Sequence, residues 1–169
     1  MTETLKTFPA VHAKTPITYH GPKKKTLSNG RVILGAVGVL TAVGGFIADV
    51  NKTHMKNPDW PPHAEFHDAM TITLGAFLGS ASLYFLARRS FDPRLDTALS
   101  ALLPSMFWAA QGICFFYPRA KGMEAEFPQL VPSVKGIWLD EKFVSLAMLS
   151  LTGIGYQMEN KQIENAPSL

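Results

Sequence analysis

At 169 residues and a net charge of +3, the chain is one domain's worth of sequence, too short for a soluble catalytic domain beside a membrane anchor. Its mean hydropathy is near neutral because polar residues crowd the ends and loops while uncharged residues gather in four blocks. The basic residues neither spread along a face nor interleave with aromatics, which excludes a nucleic-acid reader.

Residues 1–30 read as a polar tail whose one dense basic run is Lys23-Lys24-Lys25. The tail has no apolar stretch that would form a signal-peptide core. With Glu3 present and no Arg before Arg31, a mitochondrial presequence is also disfavoured. The first apolar block is therefore expected to act as an uncleaved signal anchor.

The uncharged blocks span residues 32–48, 69–87, 97–117 and 143–158. Crossing about 30 Å of hydrocarbon takes roughly 17 to 25 residues of helix. Three blocks meet that length, and the fourth falls just short, which local thinning of the bilayer accommodates. An amphipathic soluble helix would carry charge every turn on its outer face, and none of these does. The expectation is an all-α fold, a four-helix transmembrane bundle over residues 31–158 with a polar C-terminal tail at 159–169.

Small residues predict how the helices meet. Gly75 and Gly79 form a G-x-x-x-G pair in the second block, and Gly38 and Ala42 a small-x-x-x-small pair in the first. Such stripes let backbones approach where lipid removes the hydrophobic drive between helices, and their use inside the bundle is favoured over dimerisation.

Four spans put both termini on one side. That side collects ten of the 16 Lys and Arg residues, among them the triple lysine, Arg31, Arg88 and Arg89. The positive-inside rule makes it cytoplasmic and places the first and third loops in the lumen or outside the cell. The endoplasmic reticulum is the expected membrane. Asn51-Lys52-Thr53 is a glycosylation sequon on the outer side, too close to the membrane to be used.

The first outer loop is the richest segment. Asp59 is expected to cap a helix whose first turn holds Pro61 and Pro62 and which continues into the second span, with Trp60 at the interface. On that helix His63 and His67 stack on one face, in line with Met70 and Leu74, while Glu65 points away. A first-turn histidine sits at the positive end of the helix dipole, which favours the neutral ring that accepts a proton. The spacing H-A-E-F-H is not the H-E-x-x-H of zinc proteases, and five histidines are too few for the iron-dependent membrane desaturases. No cofactor and no metal are therefore expected, though a metal site from His63, His67 and one carboxylate from elsewhere, or a wet interfacial histidine pair, stays open beside the functional reading.

Further polar groups converge on the same membrane face. Asp49 ends the first span there, and Trp108, Gln111 and Cys114 lie in the outer half of the third. The expected site is a cavity open to that face, with His63, His67 and Asp49 catalytic and Gln111, Trp108, His54 and Trp60 contacting substrate. Gln111 also reads as a plain interhelical hydrogen bond, and Cys114 as a packing residue. Each of His63→Ala and His67→Ala is expected to abolish activity, Asp49→Asn to weaken it, and Glu65→Gln to be tolerated. No phosphate-cradling glycine loop and no Gly-x-Ser-x-Gly elbow is present.

The run D-V-N-K-T-H, then N-P-D-W-P-P-H-A-E-F-H-D-A and G-A-F-L-G-S-A-S-L-Y-F-L, resembles a family of small, largely uncharacterised fungal membrane proteins. The resemblance covers nearly the whole chain and implies a four-span helical fold. Some such proteins occur beside natural-product pathways. The layout is also similar to small membrane-bound terpene cyclases and emopamil-binding sterol isomerases, whose own motifs are not matched; that likeness is one of architecture. Two function classes remain. One is a membrane enzyme doing acid–base chemistry (isomerisation, cyclisation or dehydration) on a lipophilic substrate from the bilayer. The other is a carrier, assembly factor or scaffold with membrane-protein partners.

Overall fold

The computed structural model describes residues 27–88, 90 and 92–165. The triple lysine, His12, His20, Arg89 and most of the N-terminal tail lie outside the described residues, as does the end of the C-terminal tail. The fold is helical, with four long helices: α1 (Asn29–Ala48), α2 (Pro62–Ala87), α3 (Pro93–Cys114) and α4 (Glu141–Glu164).

Each helix starts and stops for a local reason. Ser28 caps α1 by accepting from the Arg31 N–H, and Asp92 caps α3 by accepting from the Leu95 N–H, with Pro93 following where a missing N–H costs nothing. Asp140 caps α4 through the Lys142 N–H. Helix α2 is the exception: its cap is Pro61, with no side-chain bond. The cap expected at Asp59 is not made, because the Asp59 N–H is held in a turn by the Asn57 carbonyl oxygen Oδ1 at 3.0 Å. Helix α2 nonetheless runs unbroken from the loop into the second apolar block. At 26 residues it is about 39 Å long, more than the roughly 30 Å of a bilayer's hydrocarbon.

The helices pack in a ring, each against its chain neighbours, with α4 closing onto α1. The two small-residue stripes meet: a Cβ on Gly79 would lie 2.4 Å from the Ala42 nitrogen and 2.6 Å from the Gly38 carbonyl oxygen. The G-x-x-x-G pair therefore serves contact within the bundle. A second close approach joins α1 and α4, where a Cβ on Gly30 would strike the Glu159 backbone at 2.6 Å.

The interior mixes apolar side chains such as Leu34, Val37, Trp108 and Met148 with small polar ones, whereas the outside is apolar. Ser82 and Ser100 are fully buried, with the Ser82 hydroxyl donating to the Ser100 carbonyl, and Thr41, Thr97, Ser145 and Thr152 are nearly so. Phe46, Ile47, Phe77, Leu102, Leu146 and Ile154 face outward. A soluble bundle distributes these residues the other way round. Helices α1, α2 and α3 are each long and apolar enough to cross a membrane, which marks a membrane protein. Helix α4 is longer than its apolar block but ends in Glu159, Lys161 and Glu164, and it does not meet that standard.

The linkers α1–α2 and α3–α4 lie at one end of the ring. The longer one carries two single-turn 3-10 helices (Met123–Ala125 and Pro128–Leu130) and a two-residue-per-strand hairpin, Ser133–Val134 against Ile137–Trp138. The hairpin turns through Lys135 and Gly136, both at positive φ. This hairpin is the only departure from all-helical structure among the described residues.

Candidate functional site

The site is built at the end of α1. Asp49 terminates the helix, and its carbonyl accepts from the Asn51 N–H at 2.8 Å and the Met55 N–H at 3.0 Å, folding the chain back on itself. Asn51 locks the fold. Its amide nitrogen donates to the Ala48 carbonyl, and its Oδ1 accepts from the Thr53 N–H at 2.8 Å and from the Thr53 hydroxyl at 2.6 Å. The sequon chemistry of Asn51 and Thr53 is thus spent on an Asx turn. That turn brings His54 back over Asp49, with Nε2 4.0 Å from the Asp49 carboxylate.

The hydrogen bonds determine which ring nitrogen of His54 carries the proton. Asn51 Oδ1 is the oxygen side of the amide, because it faces a backbone N–H while the other side faces a carbonyl. The Thr53 hydroxyl must then give its only proton to Asn51. Thr53 Oγ1 also lies 2.8 Å from His54 Nδ1, and it can only accept there. Nδ1 is therefore the N–H of the neutral ring, and Nε2 is the basic nitrogen, directed at Asp49.

Burial pushes the Asp49 carboxyl above its ordinary range; His54 opposes the shift, while Asp68 and Glu141 add to it as like charges. Asp68 stands in the second turn of α2, and one of its carboxylate oxygens, though buried, has no hydrogen-bond partner among the described residues. Glu141 opens α4 and accepts from the Met123 N–H at 3.1 Å. Asp49 thus feels one histidine and two further acids, each from a different element.

Trp60 stands edge-on to His54, with ring centroids 5.5 Å apart. Both line a cavity of about 210 Å³ whose other walls include Met123, Phe127, Lys121 and Glu141. A larger recess of about 450 Å³, lined by Phe115, Phe116, Lys142 and Glu124, adjoins it through Lys121.

Of the residues expected from sequence, the structure brings together Asp49, His54 and Trp60. His63 and His67 lie elsewhere. They are exposed on the outward face of α2 with Met70 and Leu74, and their Nε2 atoms are 3.1 Å from each other. Among the described residues no ion pair or hydrogen bond links either to Asp49. Trp108 is buried, its indole N–H donating to the Thr41 hydroxyl at 2.9 Å, which ties α3 to α1. Gln111 accepts from the Ser145 hydroxyl at 3.2 Å, the interhelical bond that was the plainer of its two readings. Cys114 is exposed, not packed, because α3 ends at that residue and not at Tyr117.

Asp68 and Glu141 went unread as site residues. Both flank apolar blocks, where charges are expected simply as span ends, and only the meeting of both linkers shows that they bear on Asp49. Among the described residues no group of three His, Cys, Asp or Glu side chains is arranged to hold a metal ion.

Residues 33–167 match a family of unknown function, DUF6640, and the chain belongs to that family. No curated protein and no solved structure matches it.

Proposed function

We propose that this member of the DUF6640 family is a four-span membrane enzyme that performs acid–base chemistry on a lipophilic substrate entering from the bilayer. The reaction class is isomerisation, cyclisation or dehydration, in which protons move without a redox partner. Helix α4 is read as the fourth span, its 24 residues being about 36 Å long, with its charged end held at the cytoplasmic surface. Both termini are then cytoplasmic, and the site opens to the lumenal face of the endoplasmic reticulum.

The observation that carries this reading is the proton arrangement at His54. Thr53 holds the ring as its Nδ1–H tautomer, so Nε2 carries a lone pair beside a carboxyl whose burial favours the protonated form. The base lines the cavity, with Trp60 and Phe127 as the apolar surface for a hydrocarbon substrate, and the acid stands behind it at the end of α1. A small rotation of either side chain closes the 4.0 Å gap between them. His54 acts as the base or acid on substrate, and Asp49 as its proton partner.

The test is a comparison of lipophilic metabolites from cells carrying the parent protein or variants at matched membrane levels. His54→Ala is expected to lower product by about 10² to 10⁴ in rate. Alanine at both His63 and His67 is expected to leave product formation in place. Unchanged product with His54→Ala sinks the assignment, and loss only with the His63 and His67 variants moves the chemistry to the outward pair.

A further inference from the structure

We propose that His63 and His67 form a two-imidazole chelate for a divalent transition-metal ion on the outward face of α2, independent of the His54 site. The spacing of four residues places both rings on one side of the helix. Their Nε2 atoms converge to 3.1 Å, with the ring planes 78° apart. Two nitrogens each about 2.0–2.1 Å from one metal ion stand about 2.9 Å apart in a cis square-planar arrangement and about 3.4 Å apart in a tetrahedral one. The observed bite lies between the two, so neither geometry requires more than a small ring rotation.

The chelate is preorganised. Pro61 and Pro62 stiffen the start of α2, and Phe66 lies parallel to the His63 ring, 3° between planes and 6.2 Å between centroids. Phe66 also meets His67 edge-on at 5.6 Å. The aromatic side chain thus holds both imidazoles from one flank and leaves their nitrogens outward. Both histidines are exposed, so the coordination positions they do not fill belong to water.

Without metal, the 3.1 Å contact is a hydrogen bond in which one Nε2–H donates to the other ring's lone pair. Metal binding needs both lone pairs, so the donor ring shifts its proton to Nδ1 through solvent. Imidazole donors follow the Irving–Williams order, which predicts Cu²⁺ bound more tightly than Zn²⁺. The positive end of the α2 dipole works against any cation, weakening binding by a factor of roughly two to five at an exposed position. No third protein ligand joins the pair among the described residues, so the site is an open one.

The experiment titrates tag-free, full-length protein in detergent with CuCl₂ and ZnCl₂, and reads the Cu²⁺ ligand set by electron paramagnetic resonance. The parent is expected to bind one Cu²⁺ with two nitrogen ligands and to gain thermal stability with either ion. His63→Ala and His67→Ala should each weaken Cu²⁺ by at least about tenfold and remove one nitrogen from the signal. Both positions are exposed, so the metal-free melting temperature of the variants should stay that of the parent. A double alanine variant that keeps two-nitrogen Cu²⁺ coordination, or the parent's affinity, overturns the proposal.

Discussion

The two ends of the bundle handle charge in opposite ways. At the end where α1 starts and α4 finishes, each buried acid has a partner. Glu159, nearly buried, receives the Ser28 hydroxyl and pairs with Arg31 at 3.4 Å, while Arg31 also reaches the Leu86 carbonyl. Asp96, equally buried, receives Arg88 Nε and the Ser90 hydroxyl, each at 2.5 Å. At the other end Asp140 is paired with Lys142 at 2.8 Å, but Asp49 feels the like charges of Asp68 and Glu141, and a buried oxygen of Asp68 goes unbonded among the described residues. Satisfied charges fasten helices together, whereas an under-satisfied buried carboxyl favours its protonated form.

Three substitutions probe that contrast, in falling order of expected effect. Glu159→Ala removes the centre of the fastened end and leaves Arg31 and Ser28 without their acceptor. We expect a loss of about 2–3 kcal/mol in detergent unfolding, the low side for a buried pair because Arg31 is about a third exposed. A loss below about 0.5 kcal/mol, the scale of an exposed pair, would erase the distinction between the ends.

Asp49→Asn should behave in the opposite sense. The folded protein raises this carboxyl above its ordinary 3.8, so it binds the proton more readily than the unfolded chain does. The stability it contributes is therefore greatest at low pH and declines as pH rises from that value through the folded one. The amide, which carries no charge, should be at least as stable as the parent near neutral pH and should flatten this pH dependence. Thermal midpoints measured across the acid range check this, and a clear loss at neutral pH would show Asp49 to be as firmly partnered as Glu159.

The smallest effect is expected at Thr53→Val, which changes stability by no more than about 1 kcal/mol but removes the acceptor at His54 Nδ1. Nitrogen chemical shifts of labelled His54 should move from the Nδ1–H tautomer toward a mixture. An unchanged tautomer would mean that Asp49 alone orients the ring.

Much of the architecture was legible. Charged residues bounding each apolar block located four helices, with ends off by at most about two turns, and Gly38, Ala42, Gly75 and Gly79 identified the face on which α1 and α2 meet. The boundaries shifted where hydrogen bonds, not hydropathy, determine them. Helix α4 continues past its apolar block to Glu164, and that extension carries Glu159 to Arg31. Helix α2 begins at Pro62, after a turn held by Asn57 that the capping pattern around Asp59 did not reveal.

Within the site, Asp49, His54 and Trp60 were singled out as residues, but their assembly depends on the turn through Asn51 and Thr53, which read as a sequon. The orientation of His63 and His67 was not legible at all. In water, an apolar stripe such as that through Met70 and Leu74 would have to face the core. In a bilayer the surroundings are as apolar as the interior, so the stripe's periodicity places the histidines on a shared face without deciding whether that face looks inward. The sequence by itself determined helices, their order and which side chains share a stripe. Only the close approach of α1 to α2 at Gly79, which turns the small residues inward, decided that the histidine stripe looks out.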